Sequence, residues 1–310
     1  MAASVDISVE FGKLKLGSPV FTASGTCGYA DELVDFMDVN KLGGFITKSI
    51  TLKPRKGNPP QRAVETDSGM LNAIGLANIG VEAFITEKIA LIEKMTVPVF
   101  VNVAGSTLDE YVTVAEKLAE QKAIAGIELN ISCPNVNKGG ITFGTDPMQV
   151  SEITSAVKKA AGEKILMVKL SPCVTDISVT ARAAVEAGAN ALSLVNTFTA
   201  MVIDIETGKP ALANKTGGLS GPAIKPMAVY LVNKVYNDVA KAANVPIMGL
   251  GGIRTASDAV EFIIAGATAV AVGTANFIDP AITVKIAEGI KKYCVRKNKS
   301  VRELVGSLQV

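Results

Sequence analysis

The chain has 310 residues, of which 48% are hydrophobic and 19% are charged, and its formal net charge is +2. This composition predicts a large buried core and excludes an intrinsically disordered protein. A charge so close to neutrality disfavours nucleic-acid binding. The first residues carry charges throughout, and no apolar run reaches the roughly 18–20 residues of a membrane span. We therefore expect a cytoplasmic protein.

The sequence contains no histidine, and its four cysteines, Cys27, Cys133, Cys173 and Cys294, are widely spaced. Without histidine, neither a Ser-His nor a Cys-His nucleophile pair is available, and histidine metal ligands are excluded. Because no two cysteines form a C-x-x-C pair, the chain is expected to hold no metal site and no iron–sulfur cluster. An enzyme built from this sequence must transfer protons with Cys, Lys, Asp, Glu or Tyr.

Eight short apolar runs follow one another along the chain, as is typical of parallel strands covered on both faces. These predicted strands are Val20–Ser24, Phe45–Lys48, Val99–Val103, Gly126–Ile131, Ile165–Leu170, Ala191–Val195, Val245–Leu250 and Ala269–Val272.

Helical patterns lie between the strands. Apolar residues from Val81 to Ile92 follow helical spacing, and Thr107-x-x-Glu110 and Thr255-x-x-Asp258 are capping-box patterns at predicted helix starts. A further helix over Val174–Ala187 is predicted to end at Gly188.

This alternation, without a linker or a break in composition, predicts an α/β fold: one (β/α)8 TIM barrel domain over residues 1–310. A doubly wound open sheet is the alternative. The count of eight and the lack of G-x-G-x-x-G after the first strand argue against it. The long irregular stretch Thr51–Asn78 predicts an active-site loop excursion after the second strand.

In such barrels the active site lies at the carboxyl ends of the strands. Almost every predicted strand ends in a hydrogen-bonding residue or a glycine. The strand-end residues are Ser24, Lys48, Ser49, Asn102, Asn130, Cys133, Lys169, Asn196, Thr197, Gly251, Gly252, Gly273 and Thr274. Each of these residues has an ordinary structural explanation when taken alone. The functional signal is that all of them are expected at the same end of the barrel.

The glycines after the last two predicted strands suggest a phosphate site, because they allow a phosphate to approach backbone N–H groups and helix N-termini. Gly221 could close the same pocket. A phosphate site in a barrel mouth suits FMN or a phosphorylated substrate. Lys48 and Lys169 each close an apolar run, and a fixed ammonium could stabilise negative charge on a reduced flavin.

Five asparagines, Asn72, Asn102, Asn130, Asn135 and Asn196, fall in strand-end or loop positions, where they suit either turns or a ring with alternating N–H and C=O groups. Cys133 stands in a polar loop, and an ordinary thiol pKa of about 8.5 would allow it to act as a base near neutral pH. The glycines of Pro134–Gly140 suggest a lid over the site.

Six segments together make a specific resemblance that runs almost from end to end. They are KSITLKPRKGNPPQR, GMLNAIGLAN, NISCPNVNKGG with FGTDP, VKLSPCVTDI, NKTGGLSGPAIKP and GLGGI. The chain resembles the class 1B dihydroorotate dehydrogenases, the catalytic subunits of the NAD-linked enzyme of pyrimidine synthesis. The resemblance implies a barrel that binds FMN and oxidises (S)-dihydroorotate to orotate.

The resemblance also implies residue roles. Cys133 is similar to the base that removes the C5 proton of dihydroorotate. Positions that match substrate contacts are Lys48, Asn72, Ala73, Ile74, Gly75, Leu76, Asn130, Asn196 and Thr197. Positions that match FMN contacts are Ser24, Lys48, Ser49, Asn102, Asn130, Lys169, Val195, Gly221, Gly251, Gly252, Gly273 and Thr274.

An electron-transfer partner subunit with FAD and a [2Fe–2S] cluster, reducing NAD+, is implied by the resemblance as well. It implies a dimer of this chain within a heterotetramer. Three alternatives stay open from the residues: a stand-alone enzyme that reduces fumarate, a dihydropyrimidine dehydrogenase subunit, and a phosphate-binding barrel without chemistry.

Overall fold

The computed structural model describes residues 5–29, 31–33, 35–132, 134–135 and 141–309. Eight parallel strands form its central sheet, and only these strands are numbered. They are β1 Val20–Thr22, β2 Phe45–Ile46, β3 Val99–Val103, β4 Ile124–Asn130, β5 Ile165–Lys169, β6 Ala191–Leu194, β7 Ile247–Leu250 and β8 Ala269–Val272. All eight predicted strands are found, with ends shifted by up to two residues.

The strand order is β1-β8-β7-β6-β5-β4-β3-β2, so each strand lies beside its neighbours in the chain. The barrel closes between β1 and β2 through a single bridge, Phe21 to Gly44. At this seam the amide of Gly43 donates to the carbonyl of Val20 at 2.8 Å, and the Ile46 amide donates to Thr22 Oγ1 at 3.2 Å. The predicted (β/α)8 architecture is confirmed as a nearly closed barrel.

Helices connect the strands on the outside of the barrel. They are α1 Gly80–Ile92, α2 Leu108–Ala119, α3 Pro147–Ala161, α4 Ile177–Glu186, α5 Lys225–Val235 continued by Tyr236–Ala240 and Lys241–Ala243, α6 Ala256–Ala265, α7 Ile282–Lys297 and α8 Val301–Leu304. In the described part of the β1–β2 connection there is a 3-10 turn, Val39–Lys41, and no α-helix.

Local sequence signals explain several helix starts. Thr255 and Asp258 form the predicted capping box at α6. At α2, Thr107 accepts from the amide of Glu110, but the Glu110 carboxylate accepts from Ser106 instead, so only half of that box forms. Helix α4 begins three residues later than predicted, because Asp176 caps it by accepting from Ser178.

The amino-terminal end of the barrel is apolar. A hairpin of Val9–Phe11 and Leu14–Leu16 lies there, and the Phe11 ring packs 6.3 Å from the rings of both Phe21 and Phe100, measured between centroids. All three rings are fully buried. Because apolar side chains fill this end, polar groups can converge only at the opposite, carboxyl end.

A second sheet covers the carboxyl end. This cap sheet is antiparallel and has the order Phe198–Ala200, Gly217–Ser220, Gly69–Asn72, Ala63–Thr66. The predicted excursion after β2 supplies the last two of these strands. The segment between β6 and α5 supplies the other two, and it also carries a small hairpin of Ile203–Asp204 and Lys209–Pro210.

A further antiparallel pair, Pro134–Asn135 with Ile141–Thr142, follows β4, with a short 3-10 turn Phe143–Thr145 after it. The predicted base Cys133 and most of the predicted lid, residues 136–140, lie outside the described residues. Across the described ranges, none of the helices combines the length and the apolarity that a bilayer crossing requires.

Candidate active site

A cavity of about 1050 Å³ lies between the carboxyl ends of the strands and the cap sheet. Ligand sites of proteins are typically about 300–1,000 Å³, so this one has room for a cofactor and a small substrate. Predicted site residues line it. They are Ser24, Lys48, Ser49, Asn72, Ala73, Ile74, Gly75, Leu76, Asn130, Lys169, Val195, Asn196, Thr197, Gly221, Gly251, Gly252, Gly273 and Thr274.

Asn102 differs from this set because it lies behind the cavity wall. Its side chain is fully buried on β3, and its Oδ1 accepts from Ser49 Oγ at 2.6 Å. Its Nδ2 donates to Glu128 Oε2 at 2.6 Å. Asn102 thus holds the Ser49 hydroxyl, which lines the cavity.

Glu128 and Lys169 form a buried ion pair below the cavity. Lys169 Nζ lies 3.7 Å from Glu128 Oε2, and their side chains are 6% and 0% exposed. Lys169 also donates to Ser24 Oγ at 3.0 Å, and Ser193 Oγ donates to Glu128 Oε1 at 2.8 Å. Six residues are thus joined across β1 to β6. We call Ser24, Ser49, Asn102, Glu128, Lys169 and Ser193 the charged network.

Strand register explains why these side chains meet. Asn102 pairs with Glu128 across β3 and β4, and Lys169 pairs with Ser193 across β5 and β6. Side chains two residues apart on a strand share a face, so Glu128 and Asn130 point to the same side. The sequence does not show whether Glu128 is buried and paired, and the structure places it, fully buried, in the barrel interior.

A cluster of amides lies beside the charged network. Asn196 Nδ2 donates to Ser132 Oγ at 2.9 Å and to Asn130 Oδ1 at 3.3 Å. The Thr197 amide donates to Asn196 Oδ1 at 2.9 Å, which fixes the orientation of that side chain. The buried Tyr111 hydroxyl donates to the carbonyl of Asn130 at 2.7 Å and holds the end of β4 in place. Cys133 follows this cluster directly in the chain.

The opposite side of the cavity is lined by backbone. Gly221, Gly251 and Gly252 all have positive φ, at 95°, 130° and 79°. A Cβ on Gly252 would lie 2.7 Å from the carbonyl oxygen of Gly221 and 3.0 Å from the amide nitrogen of Lys225. We call Gly221, Gly251, Gly252 and Gly273 the glycine rim. Packing of the cap against the β7 loop therefore requires glycine here, whatever the ligand.

The start of the helix after β7 is capped by its own acid. Asp258 Oδ2 already accepts from the amides of Arg254 and Thr255 at 3.1 and 2.8 Å. Burial alone would raise the pKa of Asp258, but hydrogen bonds from Lys225 and Thr255 outweigh it and lower the pKa. Asp258 therefore occupies two amides that directly precede α6, and these two are not available to a phosphate at the glycine rim.

One side-chain hydrogen bond ties the cap sheet to the barrel mouth, and another lies within the cap sheet. Thr274 Oγ1 donates to Ser220 Oγ at 2.8 Å, and Asn72 Nδ2 donates to the carbonyl of Gly218 at 3.4 Å. These bonds place the predicted substrate segment Asn72–Leu76 at the cavity wall.

Sequence reasoning missed several lining residues. They are Arg62, Glu65, Asp67, Ser68, Met70, Ser220, Arg254, Phe277 and Ile278. Most of them lie on the cap or on loops, where no strand end marks them. The run Gly217–Ser220 could have been recognised as a strand, since it is bounded by glycines, but one of its two partners is more than 140 residues earlier in the chain.

Burial also distinguishes the thiols. Burial raises the pKa of the Cys27 thiol to about 11, with a smaller opposing effect from the Thr26 hydroxyl. Burial raises the pKa of Cys294 as well, whereas Cys173 is exposed. Cys27 and Cys294 are therefore protonated near neutral pH and do not suit a base.

Comparison with known proteins identifies the family. Residues 6–294 match the family described as dihydroorotate dehydrogenase. A protein of Geotalea uraniireducens, named dihydroorotate dehydrogenase B (NAD(+)), catalytic subunit, is 53% identical over 304 residues, with 98% of each chain covered. A protein of the same name from Bacteroides thetaiotaomicron is 51% identical over 306 residues, covering 98% of this chain and 99% of its own.

A solved structure supports the fold. The dihydroorotate dehydrogenase of Eimeria tenella, crystallised with ferulenol, superposes with a TM-score of 0.81 at 22% identity, covering 97% of this chain and 88% of that one. At this identity the likeness concerns the fold alone. From the family match and the close relatives together, the chain belongs to the dihydroorotate dehydrogenase family, as a catalytic subunit of its NAD-linked class 1B.

Proposed function

We propose that this chain, as one domain, binds FMN in the cavity and oxidises (S)-dihydroorotate to orotate in the synthesis of pyrimidines. The observation that carries the proposal is the arrangement of the cavity, in which a buried ammonium and an amide cluster face a rim of glycines. The family of the chain supports the same activity.

The cavity residues suit FMN in two ways. The Lys169 ammonium has three N–H groups, of which Ser24 takes one and Glu128 lies 3.7 Å away, so a donor is left for a ligand in the cavity. The glycine rim exposes backbone to the cavity without side chains in the way. Ser24, Lys48, Ser49, Asn130, Lys169, Val195, Gly221, Gly251, Gly252, Gly273 and Thr274 would hold FMN, with Asn102 behind them.

When bound, FMN supplies an acceptor for the hydride that leaves C6 of dihydroorotate. The chain itself supplies substrate binding and proton transfer. Lys48, Asn72–Leu76, Asn130, Asn196 and Thr197 would hold the carboxylate and the ring amides. Cys133 would remove the C5 proton as a thiolate, and closure of the loop after it would exclude water.

The electrons must then leave the cavity. Relatives of this chain are named catalytic subunits of an NAD(+) enzyme, which supports a partner subunit. We assign to that partner FAD and a [2Fe–2S] cluster, and we assign to this chain a dimer within a heterotetramer in the cytoplasm. The partner would carry electrons from FMN to NAD+.

The absorption spectrum of the purified chain tests this function. We expect a flavin spectrum that dihydroorotate bleaches without oxygen, while dihydrouracil leaves it unchanged. The reduced chain alone should transfer electrons to neither NAD+ nor fumarate at a catalytic rate, and addition of the partner subunit should make NAD+ an acceptor. A colourless chain that FMN does not reconstitute, or bleaching by dihydrouracil, would contradict the proposal.

A further inference from the structure

Glu128 is a fully buried carboxylate that the proposed chemistry does not use. Three groups approach it: Asn102 Nδ2 at 2.6 Å, Ser193 Oγ at 2.8 Å and Lys169 Nζ at 3.7 Å. Removal of a carboxylate from water costs several kcal/mol unless it is paired and hydrogen bonded. Apolar side chains of similar volume would fill the same space at lower cost, so the charge calls for a functional explanation.

We propose that Glu128 is a positioning residue that sets the charge facing the flavin and thereby lowers the reduction potential of bound FMN. This inference rests on the proposed function. Lys169 lines the cavity, and Glu128 lies behind it in the barrel interior. The carboxylate offsets part of the positive charge that Lys169 presents, so the negative charge that reduction adds to the flavin is stabilised less than by a lone ammonium.

Glu128 also decides the orientation of Asn102. A carboxylate only accepts hydrogen bonds, so Asn102 must turn its Nδ2 toward Glu128 and its Oδ1 toward Ser49. Ser49 Oγ then donates to that oxygen and presents its lone pairs, not its proton, to the cavity. The acid thus determines the polarity of a cavity hydroxyl through two hydrogen bonds.

Glu128→Gln separates charge from hydrogen bonding. Glutamine has nearly the same shape: its oxygen can keep the place near Asn102 Nδ2 and Lys169, and its Nε2 can donate to Ser193 Oγ, so Asn102 and Ser49 need not turn. The variant therefore removes the negative charge with little loss of hydrogen bonds. A role in holding β3, β4 and β6 together would show as lower thermal stability with an unchanged potential.

The test is the midpoint potential of bound FMN in the purified chain, measured with reference dyes. We expect Glu128→Gln to shift this potential to more positive values and Lys169→Met to shift it to more negative values. Glu128→Asp keeps the negative charge, so its potential should lie closer to that of the wild type than the potential of Glu128→Gln does. Ser193→Ala is the matched control, since it removes a hydrogen bond from the same carboxylate but no charge. An unchanged potential in Glu128→Gln, or an equal shift in Ser193→Ala, would overturn the inference.

The inference can also be tested if the Glu128→Gln variant fails to fold. If Glu128→Gln does not fold, the neutral pair Glu128→Gln with Lys169→Met should fold, bind FMN and have a more positive potential than Lys169→Met alone. Failure of the pair would mean that the acid is structural and would overturn the inference. A wild-type chain that neither binds FMN nor is reduced by dihydroorotate would instead refute the proposed function, so the two failures are distinct.

Discussion

The two sides of the cavity are built in different ways. The charged network consists of side chains on β1 to β6 or just after these strands, whereas the glycine rim consists of backbone after β7 and β8 and next to the cap sheet. A side chain on a rigid strand can be changed while the strand stays in place. A rim glycine touches other backbone, so its replacement moves the fold itself. A substitution can therefore change the chemistry without moving the backbone in the charged network, but not in the glycine rim.

The largest effect is expected at the proposed base. Cys133→Ala should keep FMN bound but slow flavin reduction by dihydroorotate by roughly 10²–10⁴-fold, because the C5 proton loses its acceptor. Anaerobic stopped-flow absorbance measures this rate. Cys173→Ala is the matched control, since it removes an exposed thiol. An unchanged reduction rate in Cys133→Ala would rule out this residue as the base.

Lys169→Met should come next. Loss of the buried ammonium removes a donor from the cavity, and we expect turnover to fall roughly 10²-fold, as when one preorganised donor is lost. Lys164→Met is the matched control, because Lys164 is bound by the carbonyls of Gln121 and Ile124 at the other end of β5. Equal losses of turnover in both variants would show that the effect is structural.

Gly252→Ala probes the glycine rim. The methyl group would meet the Gly221 carbonyl at 2.7 Å at a residue with φ of 79°, so we expect about 3 kcal/mol less unfolding free energy, together with weaker FMN binding. Gly208→Ala is the control: φ is 66° there, but no atom lies within 4 Å of the added carbon. We expect about 1–2 kcal/mol for it, by urea denaturation, and unchanged FMN affinity. Equal losses of unfolding free energy in the two variants would mean that the collision with backbone at the glycine rim is unimportant.

The smallest effect concerns the cap of α6 beside the rim. Because hydrogen bonds hold the folded pKa of Asp258 below its ordinary value of 3.8, the ionised acid stabilises the fold above that pH, and this stabilisation is lost as pH falls through the folded pKa. Asp258→Asn should cost about 1 kcal/mol near neutrality. The difference from wild type should shrink below pH 3.8.

Urea denaturation across pH measures this difference. Asp176→Asn is the control, because asparagine is as good a helix cap as aspartate and this cap lies at α4. If the difference in unfolding free energy between Asp258→Asn and wild type stayed constant down to strongly acidic pH, it would contradict the lowered pKa of Asp258.

Local sequence predicted the barrel well, for a physical reason. Each barrel strand is buried on both faces and therefore appears in the sequence as a continuous apolar run. For Val99–Val103 and Ala269–Val272 the predicted and observed ends are identical. The end of such a run marks where the chain enters the mouth, so the apolar runs alone indicated that Lys169 and Asn130 face the cavity. Their roles toward FMN and substrate stay predictions.

Sequence reasoning failed where distant segments meet. The cap sheet pairs Asn72 with Gly218, and no local pattern predicts that register. Nor does a local pattern show that Asp258 turns back on its own helix and occupies the amides of Arg254 and Thr255.

By itself, then, the sequence determined the eight strands, the end of the barrel that carries polar groups, and, through its motifs, the family. Tertiary structure decided which of those groups touch. Glu128 lies 3.7 Å from Lys169 and within hydrogen-bonding distance of Asn102 and Ser193, because strand register brings β3 to β6 side by side. Alternation along one strand shows which way a side chain points, but only the pairing of strands determines what it meets.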